Sequence, residues 1–181
     1  MKTPYNEIVN IASIGSQTNP ISLNEILRKA NDEQLTPAAQ NKERVLFLGI
    51  DVQQDFMDNG ALGVPGAHGD VERMTQFIYN NMDKITNIAV SIDTHTPHQI
   101  FHPCWWIDEN GNNPAPYTPI TLADLDSGKY RAVIYPRQSR DYVEHLEKDG
   151  KKTLCVWSYH CLQGTSGAAF ENQFANMIYF H

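Results

Sequence analysis

Val45-Leu46-Phe47-Leu48-Gly49-Ile50 runs without a break into Asp51-Val52-Gln53-Gln54-Asp55-Phe56. The first six residues are uninterrupted apolar chain, the pattern of a β-strand covered on both faces of a mainly parallel sheet. Polar residues follow at once, where such a strand ends. In an open α/β sheet the carboxyl ends of the strands form the ligand crevice, so reactive residues just past these runs can converge although distant in sequence. Two further runs have this form: Ile88–Ile92 leads into Asp93-Thr94-His95, and Thr153–Trp157 leads towards His160.

The segments between them read as helices and loops. Gly60–Gly69 carries four glycines and a proline, a loop signal. Val71, Met74, Phe77, Ile78 and Met82 recur at helical spacing through Asp70–Ile85, with Asp70 as cap. Strand, helix and strand in that order imply a right-handed crossover and a parallel pair. Residues 103–122, rich in Pro, Asn and aromatics, read as a long loop. Tyr130–Tyr135 reads as a strand, Ser139–Lys148 as a helix and Thr165–Ala175 as another, while Met177–Phe180 begins a further strand. Residues 1–43 form an N-terminal extension. It holds a short helix over Ser22–Ala30, capped by Ser22 with Glu25 completing a capping box, and a polar linker over Asn31–Lys42. Residues 44–181 form the domain proper. The expected class is α/β: a three-layer, doubly wound, mainly parallel sheet flanked by helices.

Bulk properties narrow the function. A chain of 181 residues with 41% hydrophobic and 19% charged content is one globular domain. A formal charge of -7 and the lack of any Lys/Arg cluster argue against nucleic acid as a partner. No apolar run approaches the ~20 residues that span a bilayer, and Met1–Pro20 has no signal-peptide pattern. Cys104, Cys155 and Cys161 are odd in number and lack CxxC spacing, which suits reduced thiols and a cytoplasmic setting.

Asp93, His95 and His160 supply one oxygen and two nitrogens suited to a divalent metal, leaving positions open for water or substrate. Zinc is the first choice and iron or manganese the second, and ligand softness alone does not decide between them. His98 and His102 compete as ligands within the same loop, while His68 and His181 are expected at the solvent surface. Asp51, at the mouth of a strand, suits proton transfer, whereas Asp55 fits a local turn role. None of the cysteines looks like a nucleophile: Cys155 lies inside a strand, Cys104 beside Trp105 and Trp106, and no cation neighbours Cys161 in sequence.

Ile50-Asp51-Val52-Gln53-Gln54-Asp55-Phe56 with Gly60-Ala61-Leu62-Gly63-Val64-Pro65-Gly66 resembles the opening of nicotinamidase/pyrazinamidase-type members of the isochorismatase-like cysteine hydrolases. Asp93-Thr94-His95 and Trp157-Ser158-Tyr159-His160-Cys161-Leu162-Gln163-Gly164-Thr165 resemble their two metal-binding segments. The similarity runs from about Val45 to Phe170. It implies hydrolysis of a small heterocyclic amide, nicotinamide to nicotinate and ammonia, through a cysteine thioester assisted by an Asp and a Lys. It assigns the catalytic Asp to Asp51, the metal ligands to Asp93, His95 and His160, and ring-packing pocket walls to Phe56, Leu62 and Trp157. Some relatives have a further histidine after the Asp-x-His segment; the corresponding position here is Gln99, with His102 three residues on.

The Lys and nucleophilic Cys of that family lie beyond the His-Cys motif, and the resemblance finds neither here. The expectation is therefore a domain incomplete at its C-terminus, inactive alone and exposing an unpaired sheet edge. Two alternatives stand beside it. One is a metal- or ligand-binding fragment, or a subunit that forms a homo-oligomer or is completed by another chain. The other is a related cysteine hydrolase with a different amide substrate.

Overall fold

The computed structural model describes residues 1–181, which divide into two compact units: Met1–Thr94 with Gly164–His181, and His95–Gln163. No helix is long and apolar enough to cross a membrane.

In the first unit, β1 (Leu46–Gly49) and β2 (Asn87–Val90) pair in parallel, from Leu46 opposite Asn87 to Gly49 opposite Val90. Helix α2 (Ala67–Asn80) connects them, giving the expected strand–helix–strand unit of an α/β protein. It begins three residues before the expected Asp70, because Gly66 takes φ +89 and turns the chain in; Asp70 sits in the first turn instead. Helix α1 (Leu23–Glu33) is capped by Ser22, whose hydroxyl accepts from the Glu25 N–H at 3.2 Å. The Glu25 carboxylate pairs with Lys29 at 2.8 Å, so one arm of the expected capping box is seen.

Helix α5 (Asn172–Phe180) corrects two expectations. Thr165–Ala175 is not one helix: Ser166–Ala168 is a single 3-10 turn and the α-helix starts after Glu171. The Glu171 carboxylate accepts from the Gln173 and Phe174 N–H groups, each at 2.8 Å, and sets that start. Met177–Phe180 is helical, not a strand, because Phe174, Met177 and Phe180 recur at three-residue spacing and bury one shared face. They meet Val71 and Ile78 of α2 and also Ile8, Val9 and Ile26. Residues of the first 43 thus enter the core of this unit rather than trailing from it.

The sheet is covered on one face within this unit. Phe47 and Gly49 turn towards the core, while Leu46, Leu48 and Ile50 are 60%, 55% and 65% exposed. The unbroken apolar run implied two covered faces; helix packing supplies one.

The second unit is built on antiparallel pairs. β3 (Trp106–Asp108) pairs with β5 (Tyr130–Ala132), and β4 (Pro119–Ile120) with β6 (Leu154–Cys155). Residues 103–122, expected as loop, therefore contribute two strands. Trp106 explains why: its ring is fully buried and its Nε1–H donates to the Ile100 carbonyl at 2.6 Å. Around it lie Ile120, Ala132, Leu154, Val156 and Val143 of α4 (Pro136–Lys148). The short helix α3 (Leu122–Asp126) begins with a full capping box between Thr121 and Asp124.

Candidate metal centre and strand-end acids

Asp51 stands two residues past β1, with φ +54 in the left-handed region that L-residues seldom adopt. The turn is held by hydrogen bonds to its own neighbourhood. Ser91, at the exit of β2, donates from Oγ to Asp51 Oδ1 at 2.6 Å and accepts from the Asp51 N–H at 3.1 Å. The Gln53 N–H donates to the Asp51 carbonyl at 2.8 Å. A strained residue bearing a carboxylate is thereby fixed in position and orientation, as a proton-handling group requires.

Asp93 follows β2, and its backbone is gripped by a side chain from the β1 exit. Gln53 donates from Nε2 to the Asp93 carbonyl at 2.8 Å and accepts from the Asp93 N–H at 2.7 Å. The same Nε2 donates to the Ala168 carbonyl at 2.8 Å, and the whole Gln53 residue is buried. Sequence reasoning passed over both Ser91 and Gln53. The available signal was Gln53 itself, a polar residue two positions after Asp51 within a stretch that otherwise enters the core.

In the second unit, His95 and His160 come together because their backbone segments are stitched. The His95 N–H donates to the Cys161 carbonyl at 3.0 Å and the Gln163 N–H to the His95 carbonyl at 2.8 Å, a single parallel bridge. Cys161 takes φ +46 to make this turn and is buried. The His95 and His160 rings lie 4.8 Å apart, centre to centre. His160 Nδ1 donates to the Ser158 carbonyl at 2.7 Å, which fixes the tautomer and puts the lone pair on Nε2, the state a metal ligand needs.

The structure also separates the competing histidines. His98 is exposed. His102 is fully buried, 5.9 Å from His95 and 6.2 Å from His160 between ring centres. Its Nδ1 donates to the Pro97 carbonyl at 3.0 Å, and its Nε2 has no hydrogen-bond partner. Burial, with the neighbouring histidines adding to it, holds its pKa below the ordinary 6.5. Gln99 turns back locally and accepts from the Thr96 N–H at 3.3 Å. His68 and His181 are half-buried rather than solvent-facing: His68 Nδ1 meets Asp58 at 3.4 Å and His181 donates to the Ile85 carbonyl at 2.9 Å.

Asp93, two residues before His95, completes a ligand set with the two histidines: one ligand atom from each lies within 4.8 Å of the others. Zinc bonds of about 2.0–2.2 Å place tetrahedral ligands about 3.4 Å apart, within reach of small side-chain rotations from this spread. A carboxylate oxygen and two imidazole nitrogens, one already in the metal-binding tautomer, fit a divalent cation. Such a set could hold one.

The remaining site residues fall as follows. Phe56 and Leu62 are half-buried in the loop after β1, where the Leu62 N–H donates to the Asp55 carbonyl and the Val64 N–H to that of Phe56. The Asp55 carboxylate accepts from the Ala61 N–H at 3.4 Å. Trp157 is exposed and meets Tyr117 edge-on at 6.0 Å. No disulfide links Cys104, Cys155 and Cys161. The Cys104 thiol donates to the Pro97 carbonyl, and its backbone N–H donates to the Tyr159 hydroxyl, both at 3.1 Å.

No protein-family model matches the sequence, and no curated protein matches it. Among solved structures, the yeast nicotinamidase bound to the inhibitor nicotinaldehyde is similar at 18% identity and TM-score 0.48, over 75% of this chain and 52% of that one. A nicotinamidase/pyrazinamidase from Acinetobacter baumanii is similar at 20% identity and TM-score 0.44, over 74% and 47%. The chain thus spans about half the length of the structures it resembles.

Proposed function

We propose that this chain carries the acid and metal-binding residues of a nicotinamidase-like amidohydrolase of the isochorismatase-like type, acting on a small heterocyclic amide. The observation that carries the reading is the ligand set itself: Asp93, His95 and His160, brought together from two segments with His160 held in the metal-binding tautomer. Zinc is the first choice, iron or manganese the second. A bound ion would supply a Lewis acid and an anchoring point for a ring nitrogen or a water.

The protein's own groups do the rest. Asp51, oriented through Ser91, accepts the proton of the attacking nucleophile and later returns it to the leaving amine. By the resemblance, Phe56, Leu62 and Trp157 would each offer an apolar surface to a flat ring, which favours stacked or edge-on contact. The nucleophile is not among Cys104, Cys155 and Cys161. Cys161 is buried with its backbone committed to the bridge with His95, and the Cys104 thiol donates to a carbonyl rather than to a base. Reduced cysteines accord with a cytoplasmic enzyme returning nicotinate to NAD salvage.

A second reading, a subunit completed by a further polypeptide or by a second copy, draws support from the exposed Leu46, Leu48 and Ile50 face. Metal uptake tests the first. After equilibration with zinc, the native chain and His98→Ala should each retain about one ion per chain, and His95→Ala less than about a tenth of that. Equal retention in all three would refute the ligand assignment. Mixed with nicotinamide, this chain alone should form no acyl adduct on any cysteine by intact mass. An adduct would overturn the placement of the nucleophile.

A further inference from the structure

The two acids at the strand ends are braced reciprocally: Ser91, past β2, holds Asp51, while Gln53, past β1, holds Asp93. We propose that Gln53 is a positioning residue for the Asp93 metal ligand, setting the ligand oxygen through the backbone that carries it. This rests on the metal reading above.

Three features single out Gln53. Its side chain is fully buried, so each of its polar atoms must be matched. Both faces of its amide are spent on one residue: Oε1 takes the Asp93 N–H at 2.7 Å and Nε2 gives to the Asp93 carbonyl at 2.8 Å. A two-point grip fixes the tilt of the peptide as well as its position, and with it the direction in which the Asp93 Cβ leaves the chain. The third bond, to the Ala168 carbonyl at 2.8 Å, anchors the amide itself. The Gln53 backbone is held too, bridged antiparallel to Phe170.

A packing residue alone would not need this arrangement. An apolar side chain of equal length would fill the same space, but it would leave the Asp93 N–H and carbonyl without their partner. Outer partners that orient a ligand commonly change metal affinity by about 10–100-fold when lost.

The test is a thermodynamic cycle read by zinc affinity in a chelator-competition titration. Gln53→Met, similar in length and unable to make any of the three bonds, should bind zinc about 10–100-fold more weakly than the native chain. Asp93→Ala removes the ligand oxygen. In that background Gln53→Met should change the remaining affinity by less than about 3-fold, because the oxygen it positions is gone. A merely structural role would lower affinity equally in both backgrounds. Equal losses, or no loss in the native background, overturn the proposal while leaving the metal site standing. A native chain that takes up no zinc overturns the metal reading and this proposal with it. Should Gln53→Met fail to fold, Gln53→Glu replaces it, keeping the acceptor and the chain length but losing the donor, with the same direction expected. Hydrogen exchange on the native protein adds a reading that needs no variant: the Asp93 amide should be protected, and free exchange there overturns the grip.

Discussion

Gly49 is the one residue without a side chain in the apolar run that forms β1, and the structure gives the reason. A Cβ built there would lie 2.7 Å from Cζ of Phe174, 3.4 Å from its Cε1 and 3.4 Å from Cγ1 of Val90. The backbone itself places no demand, since Gly49 is not among the glycines with positive φ. The obstacle is Phe174, fully buried on α5 and 6.4 Å from Phe170 between ring centres. Gly49→Ala should therefore cost about 1–3 kcal/mol of overpacking. Ala also loses less chain entropy on folding than Gly, which offsets about 0.5–1 kcal/mol. At the middle of these ranges the net loss is about 1.3 kcal/mol, or a Tm lower by about 3–5 °C for a chain of this size. Urea denaturation followed by far-UV circular dichroism reads it as a lower midpoint at unchanged slope. Phe174→Leu provides the internal control: alone it opens a cavity, but combined with Gly49→Ala it should cost less than the sum, with a coupling of about 0.5–3 kcal/mol. A Gly49→Ala protein as stable as the native one, or strictly additive costs, would refute the claim that this glycine exists to admit Phe174.

Two further outcomes follow from the two cores. Trp106→Ala should lose about 3–5 kcal/mol in the same denaturation assay, and Trp106→Phe less, since Phe keeps most of the volume and loses the bond to the Ile100 carbonyl; equal costs would show that the indole N–H, not the ring, dominates. Burial raises the Glu171 carboxyl above 4.5, so the folded state holds that proton more tightly than the unfolded state and stability contributed by this group falls as pH rises from 4.5 through the raised value. The stability of the native chain relative to Glu171→Gln should accordingly decline over that window, and a rise would reverse the assigned sign.

How much of this was legible in the residues differs between strands and helices. The runs around Leu46–Gly49 and Asn87–Val90 announced a parallel pair because apolar continuity and an intervening helix leave few other topologies. Met177–Phe180 misled for the same reason: four apolar or aromatic residues resemble a short strand, and their period of three becomes visible when Phe174 is included. The region 103–122 misled through its prolines and asparagines, which are turn signals, while its structure is decided by a single tryptophan that needs both burial and a hydrogen-bond acceptor. Local propensity carries no information about that acceptor.

The site shows the same division at higher stakes. Residue type alone suggested Asp93, His95 and His160, since carboxylate and imidazole at strand ends have few competing uses as a set. Ranking His98 against His102 was beyond sequence spacing, because both lie in one loop and only folding exposes the first and buries the second. What no ligand-type argument reaches is the scaffolding around the acids. Ser91 and Gln53 are ordinary residues for which a turn or surface role would be the default. Their roles arise from a crossing that exists only once β1 and β2 lie side by side: each strand's exit segment holds the other's acid, at 2.6 Å through Ser91 and at 2.7 and 2.8 Å through Gln53. Parallel pairing thus does more than bring two strand ends to one edge. It puts the φ +54 turn at Asp51 under the control of β2 and the Asp93 backbone under the control of β1, so a shift in the register of either strand would misplace both carboxylates at once.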